Sequence, residues 1–131
     1  MREILFRGKR KDNGEWVYGS LQVFKGYSIF DKDIWKNFFT VHYKTVGQYI
    51  GLLDKTGKKI FEGDICKFRE WNRGKMCWVG EIRYTHQQFV ILGGPNEECR
   101  TPFEFQMSRF IPENIEVIGN IYDNPEMRYE Q

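Results

Sequence analysis

Lys75-Met76-Cys77-Trp78-Val79-Gly80-Glu81-Ile82-Arg83-Tyr84 is the stretch that decides the fold class. Met76, Trp78, Gly80, Ile82 and Tyr84 fall on one side of an extended chain, and Lys75, Cys77, Val79, Glu81 and Arg83 on the other. Period-two alternation over this length predicts a β-strand, because successive side chains leave a strand on opposite faces. Thr85 to Gln87 turns the chain and Gln88 to Leu92 returns it, which makes a hairpin.

Working outward from that hairpin, the pattern repeats. Ile65 to Trp71 reads as a strand, with Asn72-Arg73-Gly74 turning the chain after it and Glu62-Gly63-Asp64 breaking it before. Val46 to Leu53 is a strand closed by the tight turn Asp54-Lys55-Thr56-Gly57, and Lys58 to Phe61 continues it. Downstream, Gly93-Gly94-Pro95-Asn96 opens a polar loop. Phe103 to Phe110 is a weaker strand or turn, and Ile115 to Tyr122 is the last strand. Asp123-Asn124-Pro125-Glu126 predicts one helical turn with Asn124 as its cap and Pro125 at its first position.

The N-terminal residues form a second hairpin. Glu3 to Gly8 is a short strand, and Lys9 to Glu15 is a polar turn containing Asn13-Gly14, a strong reversal signal. Trp16 to Phe24 returns, with Val17, Gly19, Leu21 and Val23 alternating against Trp16, Tyr18, Ser20 and Gln22. Tyr27 to Phe30 predicts a further strand. Between Asp31 and Tyr43 the pattern weakens. Ile34, Trp35, Phe38 and Phe39 sit at helical spacing without a cap, which predicts a loop or one helical turn.

Many short strands separated by turns, without a βαβ rhythm, predict an all-β protein. The expected architecture is a sandwich or a small barrel, with a division into an N-terminal hairpin-based β subdomain over residues 1–45 and a small barrel with a short C-terminal tail over residues 46–131. Ile65, Trp78, Ile82, Val90, Val117 and Ile121 are the expected barrel core. Residues 3–24 carry apolar groups on both faces. Either a second copy covers the free face, or the segment from Tyr27 to Phe39 folds over it.

Composition narrows the function classes. The 131 residues include 22 aromatics, and 20 basic against 18 acidic residues leave a net charge of +2. That is neither the composition of a disordered chain nor a charge that by itself implies a polyanion partner. No apolar run reaches the roughly 18 residues of a membrane span, and the N-terminus lacks an apolar signal core, so a cytoplasmic protein without membrane contact is expected. Cys66, Cys77 and Cys99 have no C-x-x-C spacing, and His42 and His86 have no ligand-spaced partner. No metal, disulfide or cofactor is expected.

The catalytic motifs are missing too. Ser20, Ser28 and Ser108 lie in no nucleophile motif, and no phosphate-cradling glycine loop is present. Glu62 and Asp64 are paired carboxylates, but a strand-entry turn in which the carboxylate bonds local N–H groups explains them more simply. Two basic clusters stand out. Arg7, Lys9, Arg10 and Lys11 surround the first turn, where cations keep sheet edges soluble. Arg69, Arg73 and Lys75 interleave with Trp71 and Trp78, and cations among aromatics are what a nucleic-acid surface needs.

Three segments also carry a resemblance. They are Leu5-Phe6-Arg7-Gly8-Lys9 followed by Trp16-Val17-Tyr18-Gly19-Ser20-Leu21, then Thr45 to Leu52 running through Asp54 to Ile65, and finally Glu116 to Glu126. In that order and spacing the chain resembles the YopX family of phage and prophage proteins. The resemblance implies an all-β fold of two subdomains, the larger akin to an SH3-like barrel, and a bacterial host cell. It implies no activity.

The expected function is therefore a non-enzymatic accessory protein that acts by binding a protein partner or further copies of itself. Free sheet edges and many aromatics favour such contacts. The alternative is a nucleic-acid-binding barrel using Arg69, Trp71, Arg73 and Lys75, with weak and salt-dependent binding because its charges are few.

Overall fold

The computed structural model describes residues 3–30, 37–69, 74, 78–94 and 102–128. Within them the chain is all-β, with eleven strands, four single 3-10 turns and no α-helix. It divides into two compact units, Met1–Gly51 and Leu52–Gln131.

The first unit contains β1 (Phe6–Lys9), β2 (Trp16–Val23), β3 (Tyr27–Phe30), β4 (Phe38–Val41) and most of β5 (Gly47–Leu53). These strands lie in the order β4-β3-β2-β1-β5. Arg7 stands opposite Tyr18, Lys9 opposite Trp16, Ser20 opposite Phe30 and Phe30 opposite Phe38. The first turn closes as its Asn-Gly chemistry predicts: Gly14 sits at φ +73°, and the Asn13 side chain accepts the Glu15 N–H at 3.0 Å.

β4 corrects the expected loop or helical turn. Phe38-Phe39-Thr40-Val41 combines aromatic and β-branched residues, which fit a pleated surface, and it pairs along its whole length with β3. The helical spacing therefore misled at Phe38 and Phe39, while residues 31–36 lie outside the described residues. β4 also returns to the start of the unit. An isolated bridge joins Arg10 to Val41, the Lys11 N–H donates to Thr40 O at 3.0 Å, and the His42 N–H donates to Lys9 O at 2.9 Å. The sheet is curled by this tie, and Val41 lies on Gly8, where an added Cβ would stand 3.1 Å from the Val41 Cβ. β3 and β4 thus cover the inner face of the hairpin, and Ile29 and Val41 are buried there.

Sequence pattern sets the division at residues 45/46. The first unit instead runs to Gly51, because Gly47 and Gln48 pair with Arg7 and Phe6, and the Tyr49 N–H donates to Leu5 O at 2.8 Å.

The second unit adds β6 (Lys59–Phe61), β7 (Asp64–Phe68), β8 (Trp78–Thr85), β9 (Gln88–Gly93), β10 (Phe103–Gln106) and β11 (Ile115–Asn120). Five of these form the antiparallel order β10-β9-β8-β7-β11. Adjacent strands stand roughly 4.8 Å apart, so β7 and β10 would be about 14 Å apart in a flat sheet. Yet the Phe68 ring of β7 meets the rings of Phe103 and Phe105 on β10 at 5.5 and 6.1 Å between centroids. The sheet therefore curls around Phe68, which also meets Trp78 and Phe110 edge-on. Among the described residues no hydrogen-bonded pair joins β10 to β11, so the expected barrel is an open, curled sheet.

Ile65, Ile82 and Val90 are buried as the alternation predicts. Trp78, Val117 and Ile121 are only half-buried. Trp78 covers the rim of the Phe68 cluster, Val117 stands at a register shift of β11, and Ile121 lies beyond that strand's end. The predicted C-terminal helical turn is a single 3-10 turn at Pro125–Met127, and Asn124 does not cap it. Its side chain accepts the Asn120 N–H at 3.2 Å instead. The β8–β9 turn holds His86 and Gln87 at φ +49° and +68°, a left-handed pair usually given to Asn-Gly.

Candidate binding surfaces

The surface expected from sequence is Arg69, Trp71, Arg73 and Lys75. Trp71, Arg73 and Lys75 lie outside the described residues. Arg69 follows β7, and its half-buried side chain works as an internal tie. Its Nε donates to Asn114 Oδ1 at 3.2 Å and one terminal nitrogen donates to Gly74 O at 3.3 Å, while its backbone N–H donates to Asn114 O at 3.0 Å.

The buried carboxylates are also engaged within the fold. Asp64 Oδ2 accepts the Phe61 N–H at 2.7 Å across the Glu62-Gly63 turn, with Gly63 at φ +92°. Glu81 pairs with the Arg83 guanidinium and lies 3.8 Å from Arg128 Nε. Asp54 does the most. Its Oδ1 accepts the N–H groups of Thr56 and Lys58 at 2.9 Å each and the Thr56 hydroxyl at 2.7 Å, and its Oδ2 accepts the Val117 N–H at 2.9 Å. Burial pushes the Asp54 carboxyl up, but these hydrogen bonds outweigh it and hold the group below the ordinary aspartate value. The carboxylate thus fastens the turn after β5 to β11, 63 residues away. Among the described residues no group of three or more His, Cys, Asp or Glu is placed to hold a metal ion.

The N-terminal basic cluster is built into aromatic contacts. Arg7 is 4% exposed, and its guanidinium lies 4.6 Å from the centre of the Trp16 ring. Lys9 Nζ lies 5.4 Å from the same ring. Arg10 stacks 4.2 Å from the Phe39 ring and pairs with Asp12 at 2.6 Å. Cross-strand register places Arg7, Lys9, Trp16 and Tyr18 on the outer face of the first unit, and Phe30 and Phe38 on the same face of β3 and β4. Tyr18 is 47% and Phe38 58% exposed, and the Phe30 and Phe38 rings are 5.4 Å apart. Alternation in Trp16–Phe24 separates the two faces, but Phe38 belongs to a strand that helical spacing concealed.

A family model described as YopX protein matches residues 5–127. The chain belongs to the YopX family. No curated protein matches it. A solved structure, that of protein EF1440 from Enterococcus faecalis, is similar in fold, with a TM-score of 0.51 at 20% identity over 96% of this chain and 98% of that one. In this YopX protein the segment from Gly47 to Phe68 holds strand-turn-strand geometry. Gly57 and Gly63 sit at φ +86° and +92°, where a side chain is strained. Among the described residues no helix is long and apolar enough to cross a membrane.

Proposed function

We propose that this YopX protein is a non-enzymatic accessory protein of a phage or prophage, active in the bacterial cytoplasm, and that it works by binding through its first unit. The observation that carries this reading is the distribution of exposed apolar side chains. Of ten large hydrophobics exposed among the described residues, six lie in the smaller first unit: Ile4, Tyr18, Val23, Phe24, Phe38 and Tyr43. Contiguous exposed apolar area marks interaction sites, and Tyr18 and Phe38 share the outer face of this unit's sheet. The engagement of Asp54, Asp64 and Glu81 in backbone hydrogen bonds and ion pairs supports a structural rather than an acid–base role for the buried acids.

Affinity purification of the tagged full chain from induced or infected cells tests the reading, run beside a Tyr18→Ser, Phe38→Ser double variant. With protein and nucleic acid both analysed, the expected result is a partner retained by the wild type and lost by the variant. Equal recovery from both overturns it.

A further inference from the structure

We propose that the outer face of the first unit's sheet binds single-stranded nucleic acid, with bases stacked on its aromatic rings. This rests on the reading that the first unit is the binding surface, and it names the partner's chemistry.

The solvated face of an antiparallel sheet ordinarily carries polar residues. Here Tyr18 and Phe38 are exposed on the outer face, and Trp16 and Phe30 are half-buried on it. The remaining positions of this face on β2 to β4 are Ser20, Gln22, Ser28 and Thr40, uncharged groups that can serve base edges as donors or acceptors. No acidic residue occupies this face in β1 to β4. Lys9 borders Trp16, and Lys11 is exposed in the turn beyond. The charge of the whole chain conceals a division. Residues 1–51 hold nine basic and five acidic side chains, a net +4, so residues 52–131 carry a net −2.

Aromatic rings bordered by Lys9 and Lys11, on a face without carboxylates, complement unpaired bases on a phosphate chain. Paired bases in a duplex are already stacked and offer no free faces, which selects single strands. A protein partner would use the same apolar area, but it gains nothing from the planarity of the rings or from the absence of acid. β2 alone extends over roughly 24 Å, room for about four nucleotides, the lower end of what one small β module covers.

Fluorescence anisotropy of a labelled twenty-nucleotide oligothymidylate against the full chain tests the proposal. Binding is expected in the micromolar range, falling with salt at a log–log slope of about −1.5 to −2, as two or three phosphate contacts require. Tyr18→Leu and Phe38→Leu keep apolar area but remove the π face, and each is expected to weaken binding about tenfold without changing the melting temperature. No binding at about 100 μM protein, equal affinity for a duplex of the same length, or Leu variants that bind like the wild type would each overturn it. If the oligonucleotide is ignored while the Tyr18→Ser, Phe38→Ser chain still loses its protein partner, only this inference fails. If neither measurement responds, the binding-surface reading fails with it.

Discussion

The two units of this protein use their aromatic residues in opposite ways. In the second unit, Phe68 is fully buried, and Trp78, Phe103, Phe105 and Phe110 surround it. In the first unit, the close approach at the centre is between Gly8 and Val41, and Tyr18, Phe24 and Phe38 are left at the surface, Phe24 with 73% of its area exposed. A ring wrapped by a curled sheet contributes to folding. A ring on the outer face of a sheet closed over glycine and valine contributes little, and its presence there calls for another explanation. The difference separates stability from surface chemistry within one chain.

The largest effect that would sharpen the contrast is expected from Phe68→Ala. Removing the ring at the centre of the cluster should cost about 3–5 kcal/mol in urea denaturation, because the surrounding rings belong to three different segments and cannot collapse into the space. A loss below about 1 kcal/mol would mean that the second unit is not organised around Phe68.

Asp54→Ala comes next, at about 3 kcal/mol, since the substitution strands the N–H groups of Thr56, Lys58 and Val117. The same carboxylate sets a pH dependence. Its folded pKa lies below the unfolded value, so its contribution is complete above about pH 4 and is lost as pH falls through the folded value. Stability measured from pH 6 down to pH 2 should therefore fall less steeply in Asp54→Asn than in the wild type. Parallel acid limbs would remove Asp54 from the account.

The smallest effects belong to the first unit. Tyr18→Leu and Phe38→Leu should each change stability by less than about 0.5 kcal/mol. A loss of 2 kcal/mol from either would break the comparison, because the exposed rings would then be core residues after all.

What was legible in the sequence follows from the range of the forces involved. Strand alternation is local, so β2, β8 and the burial of Ile65, Ile82 and Val90 could be read from period alone. Turn chemistry is local too, as Asn13-Gly14 and Asp54 to Gly57 illustrate. β4 was hidden because Phe38 and Phe39 complete a helical spacing with Ile34 and Trp35, and only pairing with β3 makes them extended. The ties from Asp54 to Val117 and from Arg69 to Asn114 span 63 and 45 residues and leave no periodic trace. For the same reason Arg7 read as a solubilising charge near a turn, whereas the fold buries it against Trp16. Of the surface expected around Arg69, Trp71, Arg73 and Lys75, the structure describes only Arg69, and it gives that residue an internal hydrogen-bonding role.

The strand order has a consequence for how the protein is made. Every pairing that defines β1 to β4 closes within the first 41 residues, and the pairing of β1 with β5 closes by Gln48. The edge strand β11, by contrast, pairs with β7 across roughly fifty positions, Ile115 with Phe68 and Asn120 with Asp64. A ribosome delivers the chain from its N-terminus at about 5–20 residues per second. The first unit can therefore fold while the second is still being translated. The second waits several seconds, with the flank of β7 that β11 will occupy open, until Asn120 has left the exit tunnel.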